Sequence, residues 1–466
     1  MSAEYDFVVI GGGSGGYNAA SLAARLGLKT VVIEGAKDVG GLCILRGCMP
    51  SKTLIESADR FLTLRRAGEF GLHAENISHD GAAIIARKRK LIGEFADYRR
   101  QQLEAGKFAF VRGWASFEDA HTVSVKLLEG GTETIAGKTF LICTGSKIQV
   151  VEIPGLKEAG YWDTDAVLES EVIPKSVAVL GGGFSALEFA HYYSGLGVET
   201  TLIQRSARVM KELDPDVTDA VTEALQKHGA KIICDTRLEK VETTAHGKRI
   251  HFQHEGQAQV VEVEQIVYAM GRQPLTDGLQ LEKIGVERKK GHLHAQLTQQ
   301  TSVPHIFAAG DVCGPYEIVH LAIQQGEIAA RNAARLLKGS SEPFETMDYR
   351  LKMSIVFTHP EVAMSGYSEE ELRQQGRSFV TASYPFNDHG KSLVMGETDG
   401  FVKLIADSAT RELLGAAVVG PRASDLIHEL SVALYFRATA MDLMRVPHYH
   451  PTLSEIWTYP AEELSL

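Results

Sequence analysis

The chain has 466 residues, room for roughly three domains of ordinary size, and is 44% hydrophobic and 23% charged, as a globular protein is. A formal net charge of -11 excludes a nucleic-acid surface as the main partner, and no apolar run approaches the ~20 residues of a transmembrane helix. Five cysteines are too few for a disulfide scaffold, and the start Met-Ser-Ala-Glu-Tyr-Asp carries no basic, apolar leader. The expected compartment is therefore reducing and cytoplasmic.

The first element is a βαβ unit, Val8 to Glu34, whose turn Gly11-Gly12-Gly13-Ser14-Gly15-Gly16 matches G-x-G-x-x-G. Glycines at Gly11, Gly13 and Gly16 permit a tight turn and close backbone approach to a pyrophosphate at a helix N-terminus. Glu34 ends the second strand, where a carboxylate can bond ribose hydroxyls. A cysteine pair follows in Gly40-Gly41-Leu42-Cys43-Ile44-Leu45-Arg46-Gly47-Cys48-Met49-Pro50-Ser51-Lys52. Its C-x₄-C spacing is not the C-x₂-C of zinc or thioredoxin-like sites, and no metal site is expected. So close to a cofactor turn, the pair suits thiol–disulfide exchange, with a helix N-terminus or a cation stabilising a thiolate. The basic run Arg87–Lys90 stands among mixed charges and reads as a solvated helix face.

A second βαβ unit, Val177 to Gln204, repeats the first: 23 positions separate the first turn glycine from the residue ending the second strand in both (34 − 11 and 204 − 181). Its turn runs Gly181-Gly182-Gly183-Phe184-Ser185-Ala186, with alanine as the tolerated third position. Gln204 replaces the strand-terminal acid, and Arg205, Arg208 and Lys211 follow. A carboxylate would repel a 2′-phosphate and cations would bind one, so this unit leans towards NADP(H) over NAD(H). Further on, an apolar strand ends in Gly310-Asp311, a carboxylate at the strand end where α/β sheets bind ligands.

A third region begins near Glu345, with strand-like stretches at Ser354–Thr358, Phe401–Ala406 and Leu414–Val419, a helical stretch at Ser424–Ala438 and no glycine-rich turn. It reads as an α+β domain serving as an interface. Near the C-terminus His450 precedes Glu455 by five residues, and a carboxylate folded back onto the imidazole would make a proton-moving pair.

Together these segments resemble the class I pyridine nucleotide-disulfide oxidoreductases over essentially the whole chain. The carriers are GGLCILRGCMPSK (Gly40–Lys52), ICTGS (Ile142–Ser146), both βαβ units, AMGRQP (Ala269–Pro274), FAAGD (Phe307–Asp311) and HPTLSE (His450–Glu455). The resemblance implies an α/β chain with two Rossmann-like dinucleotide-binding domains plus a C-terminal α+β dimerisation domain. Its order would be FAD domain (1–150), NAD(P) domain (151–275), FAD domain again (276–344) and dimerisation domain (345–466). It implies that Cys43 exchanges with substrate and Cys48 faces the flavin, with Lys52 near the flavin N5 and paired with Glu188. Phe184 would cover the flavin until the nicotinamide enters. Gly41, Gly113, Thr144, Gly145, Ser146, Gly310 and Asp311 would serve the FAD site, and Gly271 the cofactor site as well. His450 and Glu455 would be supplied across a homodimer with shared active sites.

Within the family the cysteine and HPTLSE segments are most similar to dihydrolipoamide dehydrogenase, although Leu42, Leu45 and Glu317–His320 depart from the usual pattern and Gln204-Arg205 does not suit NAD. The implied activity passes electrons between NAD(P)H and a small disulfide or dithiol. The alternatives are an NADPH-dependent reductase of another low-molecular-weight disulfide, and a low-turnover flavin redox sensor or complex subunit.

Overall fold

The computed structural model describes residues 3–466. They fall into two compact units. The first comprises the described residues up to Ser51, with Ala86–Gln149 and Arg272–Asp348, the second Lys52–Ile85, Val150–Gly271 and Tyr349–Leu466.

The first unit is built on one six-stranded sheet. Strand Ala3–Ile10 lies between Thr30–Glu34 and Thr132–Ile142, parallel to both, in the register Ile10↔Ile33 and Ile10↔Ile142. Ala109–Asp119 and Ile306–Ala308 extend the parallel part on either side. The far halves of the two 11-residue strands turn antiparallel around Thr122–Leu127. Val8, Val9, Val31, Val32, Phe140 and Leu141 are wholly buried, which is why these strands read as continuous apolar runs. Helix Ser14–Arg25 covers the sheet with Ala19, Ala20 and Ala23, small residues that let it lie close.

The second unit repeats this plan. Its parallel sheet runs Ala230–Ile233, Glu199–Ile203, Ser176–Leu180, Gln265–Tyr268, Trp162–Asp163, and a three-stranded antiparallel sheet (Thr236–Thr243, Lys248–His254, Gln257–Val263) accompanies it. The repeat seen in the sequence is therefore a repeat of fold. The same unit holds a five-stranded antiparallel sheet, Met353–Val356, Glu361–Gly366, Leu413–Gly420, Phe401–Asp407, Phe379–Pro385. Helix Ala423–Tyr435 packs on it through Leu426, Ile427, Leu430 and Leu434. Three of these strands and the helix are the ones the sequence marks. Glu361–Gly366 and Phe379–Pro385 were not foreseen. Segment Lys52–Ile85, counted with the first cofactor domain in the sequence reading, belongs to the second unit.

The basic run lies on helix Gly81–Glu104, where Arg87, Arg89 and Lys90 are exposed but Lys88 is buried, so the reading of a solvated face holds for three of the four. No helix among the described residues is long and apolar enough to cross a membrane.

Candidate active site

In the first unit the parallel strands end together: the predicted FAD residues Gly11, Gly13, Ser14, Gly16, Thr144, Gly145, Gly310 and Asp311 follow those ends closely, Glu34 closes its own strand, and Gly113 does not share this place. Gly11 donates its N–H to Ile33 O, Cys143 to Ile10 O and Ala309 to Ile142 O, which lines up the three exits. Gly11 has φ +110°, and a Cβ on it would stand 2.3 Å from Cys143 O; one on Gly16 would stand 1.9 Å from Gly11 O. Only glycine lets the turn close on itself there. Gly13 and Gly145 differ: a Cβ on Gly13 would meet nothing nearer than Gly41 Cα at 3.7 Å, and one on Gly145 nothing within 4 Å. That is open space beside the N-terminus of helix Ser14–Arg25, which has neither a capping side chain nor an acidic residue in its first turn. Its N–H groups and positive dipole end are left for an anion, so these residues fit a bound pyrophosphate.

Glu34 accepts from Gly12 N and Ala36 N, both at 2.8 Å, so its carboxylate is fixed at the strand end with one lone pair on each oxygen to spare. Asp311 accepts from Ser146 Oγ at 2.7 Å, and Arg272 Nε donates to the same hydroxyl at 2.9 Å. Thr144 Oγ1 donates to Leu275 O, and Gly310 N to the buried Gln325. Gly113 lies within its strand, where Val125 and Lys126 already occupy the place of a side chain.

The cysteine segment is pinned to the phosphate turn by glycine. A Cβ on Gly41, at φ +72°, would stand 2.6 Å from Gly13 Cα. Gly41–Leu45 is a short helix carrying Cys43; the chain then turns through Gly47, whose missing Cβ would lie 3.3 Å from Cys43 Cα, and enters helix Cys48–Arg65. Both sulfurs belong to half-buried residues. Cys48 opens an 18-residue helix with no acid in its first turn, a position whose dipole favours a thiolate. Ser51 Oγ donates to Gly47 O at 2.8 Å and tightens that turn.

In the second unit Lys52, one turn further along the same helix, donates to both oxygens of Glu188 at 2.7 and 2.8 Å. Glu188 is buried and also accepts from Phe357 N. The nicotinamide turn mirrors the first: Gly181 at φ +126° abuts Ala269 O, and helix Phe184–Gly195 starts without side-chain cap or acid. Gly183 is open, Phe184 is half-buried, Ala186 is buried and Gly271 takes φ +106°. Gln204 folds against Gly182 and accepts from Arg205 N at 2.9 Å, where Glu34 folds against Gly12. Arg205 is exposed, whereas Arg208 lies 3.6 Å from Asp219 and Lys211 3.9 Å from Glu212. Two of the three foreseen cations thus face carboxylates of their own, and Arg205 stands as the principal candidate for a phosphate.

His450 Nδ1 lies 2.9 Å from Glu455 Oε2; the imidazole side chain is 79% exposed and the carboxylate 10%. The sequence reading missed what stands on the other oxygen. His389, fully buried, places Nε2 3.3 Å from Glu455 Oε1, and its Nδ1 meets Ser392 Oγ at 2.8 Å. Burial lowers the pKa of His389, with the Glu455 carboxylate acting in the other direction, which favours the neutral ring beside that carboxylate.

Residues 5–326 match the pyridine nucleotide-disulphide oxidoreductase family, and residues 353–461 its dimerisation domain. The chain belongs to this family. It is an FAD-dependent enzyme that passes electrons between NAD(P)H and a disulfide or dithiol, and the dimerisation domain supports a homodimer. Dihydrolipoyl dehydrogenase of Chlamydia pneumoniae is 34% identical over 459 residues, 98% of this chain and 96% of that one. The enzyme of the same name from Thermus scotoductus is 36% identical over 466 residues, 99% and 97% of the two chains. A mercuric reductase of Staphylococcus aureus is 34% identical over 442 residues, 94% of this chain and 79% of its own. Among solved structures, the Cu(II) complex of the HOCl-induced flavoprotein disulfide reductase RclA from Escherichia coli superposes with a TM-score of 0.86 at 25% identity, covering 99% of this chain and 100% of that one.

The described residues contain one cluster of acids able to hold a cation, Asp214, Asp216 and Glu369, and Lys403 Nζ sits 2.8–2.9 Å from all three. A protein ammonium fills that place.

Proposed function

We propose that this enzyme acts in the cytoplasm as a homodimer with shared active sites. Cys43 exchanges with a low-molecular-weight disulfide, Cys48 faces the flavin, and His450 with Glu455 moves the proton from the partner subunit. Bound FAD supplies the two-electron link between the nicotinamide and the protein disulfide. The rest is thiol chemistry of the chain. The Cys43 thiolate attacks one substrate sulfur, the substrate S–S bond breaks, and His450 gives a proton to the departing thiolate. Cys48 then attacks Cys43, the Cys43–Cys48 disulfide forms, and the second substrate thiol leaves. Two electrons have moved to the substrate, and the cycle runs in reverse from a dithiol.

One observation carries the reading: an imidazole open to solvent on its own chain, yet held at 2.9 Å by a nearly buried carboxylate. Orienting a ring so firmly towards empty space makes sense where another chain brings the reacting group. The Lys52–Glu188 pair supports the assignment of Lys52 to the flavin edge, since two hydrogen bonds to a buried carboxylate fix where that side chain ends. Phe184 is proposed to cover the flavin until the nicotinamide enters.

The curated relatives favour a dihydrolipoamide-like substrate. A second reading, an NADPH-dependent reductase of another small disulfide, is favoured by Gln204 in place of the strand-terminal acid and by exposed Arg205. Turnover of dihydrolipoamide with NAD⁺ and NADP⁺, beside reduction of a disulfide panel with NADH and NADPH, tests both. Fast oxidation of dihydrolipoamide supports the first. Its absence beside rapid NADPH-dependent reduction of another disulfide selects the second.

A further inference from the structure

Arg99 lies on helix Gly81–Glu104, and its guanidinium carbon stands 4.2 Å above the ring of Tyr17. Its Nε and Nη1 are shut off from solvent and meet no hydrogen-bond acceptor. The tyrosine face attracts the cation but accepts no conventional hydrogen bond. No carboxylate on the same helix serves it: Asp97, two residues away, pairs with Arg100 at 2.7 Å on the exposed side. Shielded donors without an acceptor are uncommon in folded proteins, and a cation so placed is costly unless an anion completes it.

The location gives that anion a meaning. Tyr17 donates its N–H to Gly13 O at 2.9 Å, in the first turn of helix Ser14–Arg25. Gly13 is the residue against which Gly41, the start of the Cys43 helix, is packed. Arg99 is thus stacked on the turn that carries the cysteine segment. Burial lowers the pKa of its guanidinium, while Tyr17, Cys43 and Tyr98 act in the other direction, so the charge of Arg99 and the Cys43 sulfur feel each other.

We infer that Arg99 binds a negatively charged group on the substrate, which makes the preferred substrate an anionic low-molecular-weight disulfide. The inference rests on the reading above that Cys43 is the sulfur exchanging with substrate. An anion held by the shielded guanidinium would bring its S–S bond to Cys43, and a neutral disulfide would leave those N–H groups unpaired. Arg99 is a specificity-determining residue that takes no part in proton or electron transfer.

The test compares pairs of disulfides that differ only in charge: lipoate with lipoamide, and dithiodibenzoate with its diamide. The wild-type enzyme should favour the anionic member of each pair. Arg99→Gln should lower kcat/KM for the anions about ten- to a hundred-fold, mainly through KM, the worth of a charged hydrogen bond. The neutral members should keep their kcat/KM, and Arg99→Lys should restore part of the loss. Reduction of ferricyanide by NAD(P)H, which needs no disulfide, should be unchanged and reports an intact flavoprotein. Equal losses on both members of a pair, or no preference in the wild type, would overturn the role of Arg99 alone. Failure of the wild-type enzyme to reduce any of the four disulfides while ferricyanide is reduced would remove the small-disulfide reading, and this inference with it.

Discussion

Replacing His450 by alanine should separate the two halves of the catalytic cycle. The ring is held through Nδ1 by Glu455, whose other oxygen lies 3.3 Å from the buried His389. Loss of a positioned acid–base group costs about 10²–10⁴-fold in the step it serves. Glu455→Gln removes only the charge that steadies the imidazolium. A charged hydrogen bond is worth ~1.5–3 kcal/mol, and 1.36 kcal/mol is tenfold in rate, so that variant should lose roughly ten- to a hundred-fold. Rapid mixing resolves both. Reduction of the enzyme by NAD(P)H should keep its rate in each variant, and re-oxidation by the disulfide should slow by these factors. The origin of the imidazole is then tested by mixing chains. A heterodimer of one Cys43→Ser chain and one His450→Ala chain keeps one site in which both residues are wild type. It should regain turnover that neither homodimer has. Complete heterodimer with no regained turnover would refute the shared site, and slowing of the NAD(P)H step in His450→Ala would refute the division of labour.

Cys43→Ser should leave the Cys48 thiolate at its helix N-terminus facing oxidised flavin, visible as a long-wavelength charge-transfer band without added reductant; the band appearing in Cys48→Ser instead would reverse the two roles. Arg205→Ala should raise KM for NADPH about ten- to a hundred-fold and leave that for NADH nearly unchanged, and equal KM values for the two nucleotides in the wild type would end the argument from Gln204 and Arg205. Burial pushes the Cys143 thiol up to about 12, so at pH 8 almost none of it is thiolate in the folded protein. Iodoacetamide at that pH should spare Cys143 until the protein is unfolded, and mass spectrometry showing rapid native labelling there would contradict its burial.

What the sequence disclosed followed the range over which each feature is built. The two glycine turns, the strand ends at Glu34 and Gln204 and the His450–Glu455 spacing are local patterns, set within about two dozen residues by the periods of strand and helix. The Lys52–Glu188 pair spans 136 positions and came from family resemblance alone. His389 was illegible because its segment carries no motif and its meaning depends on burial beneath Glu455. The charges at Arg208 and Lys211 could be counted but not their carboxylate partners. Arg99 and Lys88 sit in a helix whose composition reads as solvated, and only packing reveals that parts of both are shielded.

The contact between Gly13 and Gly41 limits how this protein can change. A methyl group at residue 41 would arrive 2.6 Å from Gly13 Cα, well inside the 3.4 Å of ordinary contact. The cysteine helix would have to retreat by roughly 1 Å, a displacement that can cost a hundredfold where reacting groups must be aligned. Tight spots in proteins are commonly relieved by trimming the opposing side chain. Here the opposing residue is already glycine and has nothing left to remove. A genetic screen starting from Gly41→Ala should therefore yield true revertants and backbone rearrangements, but no suppressor at the position it touches.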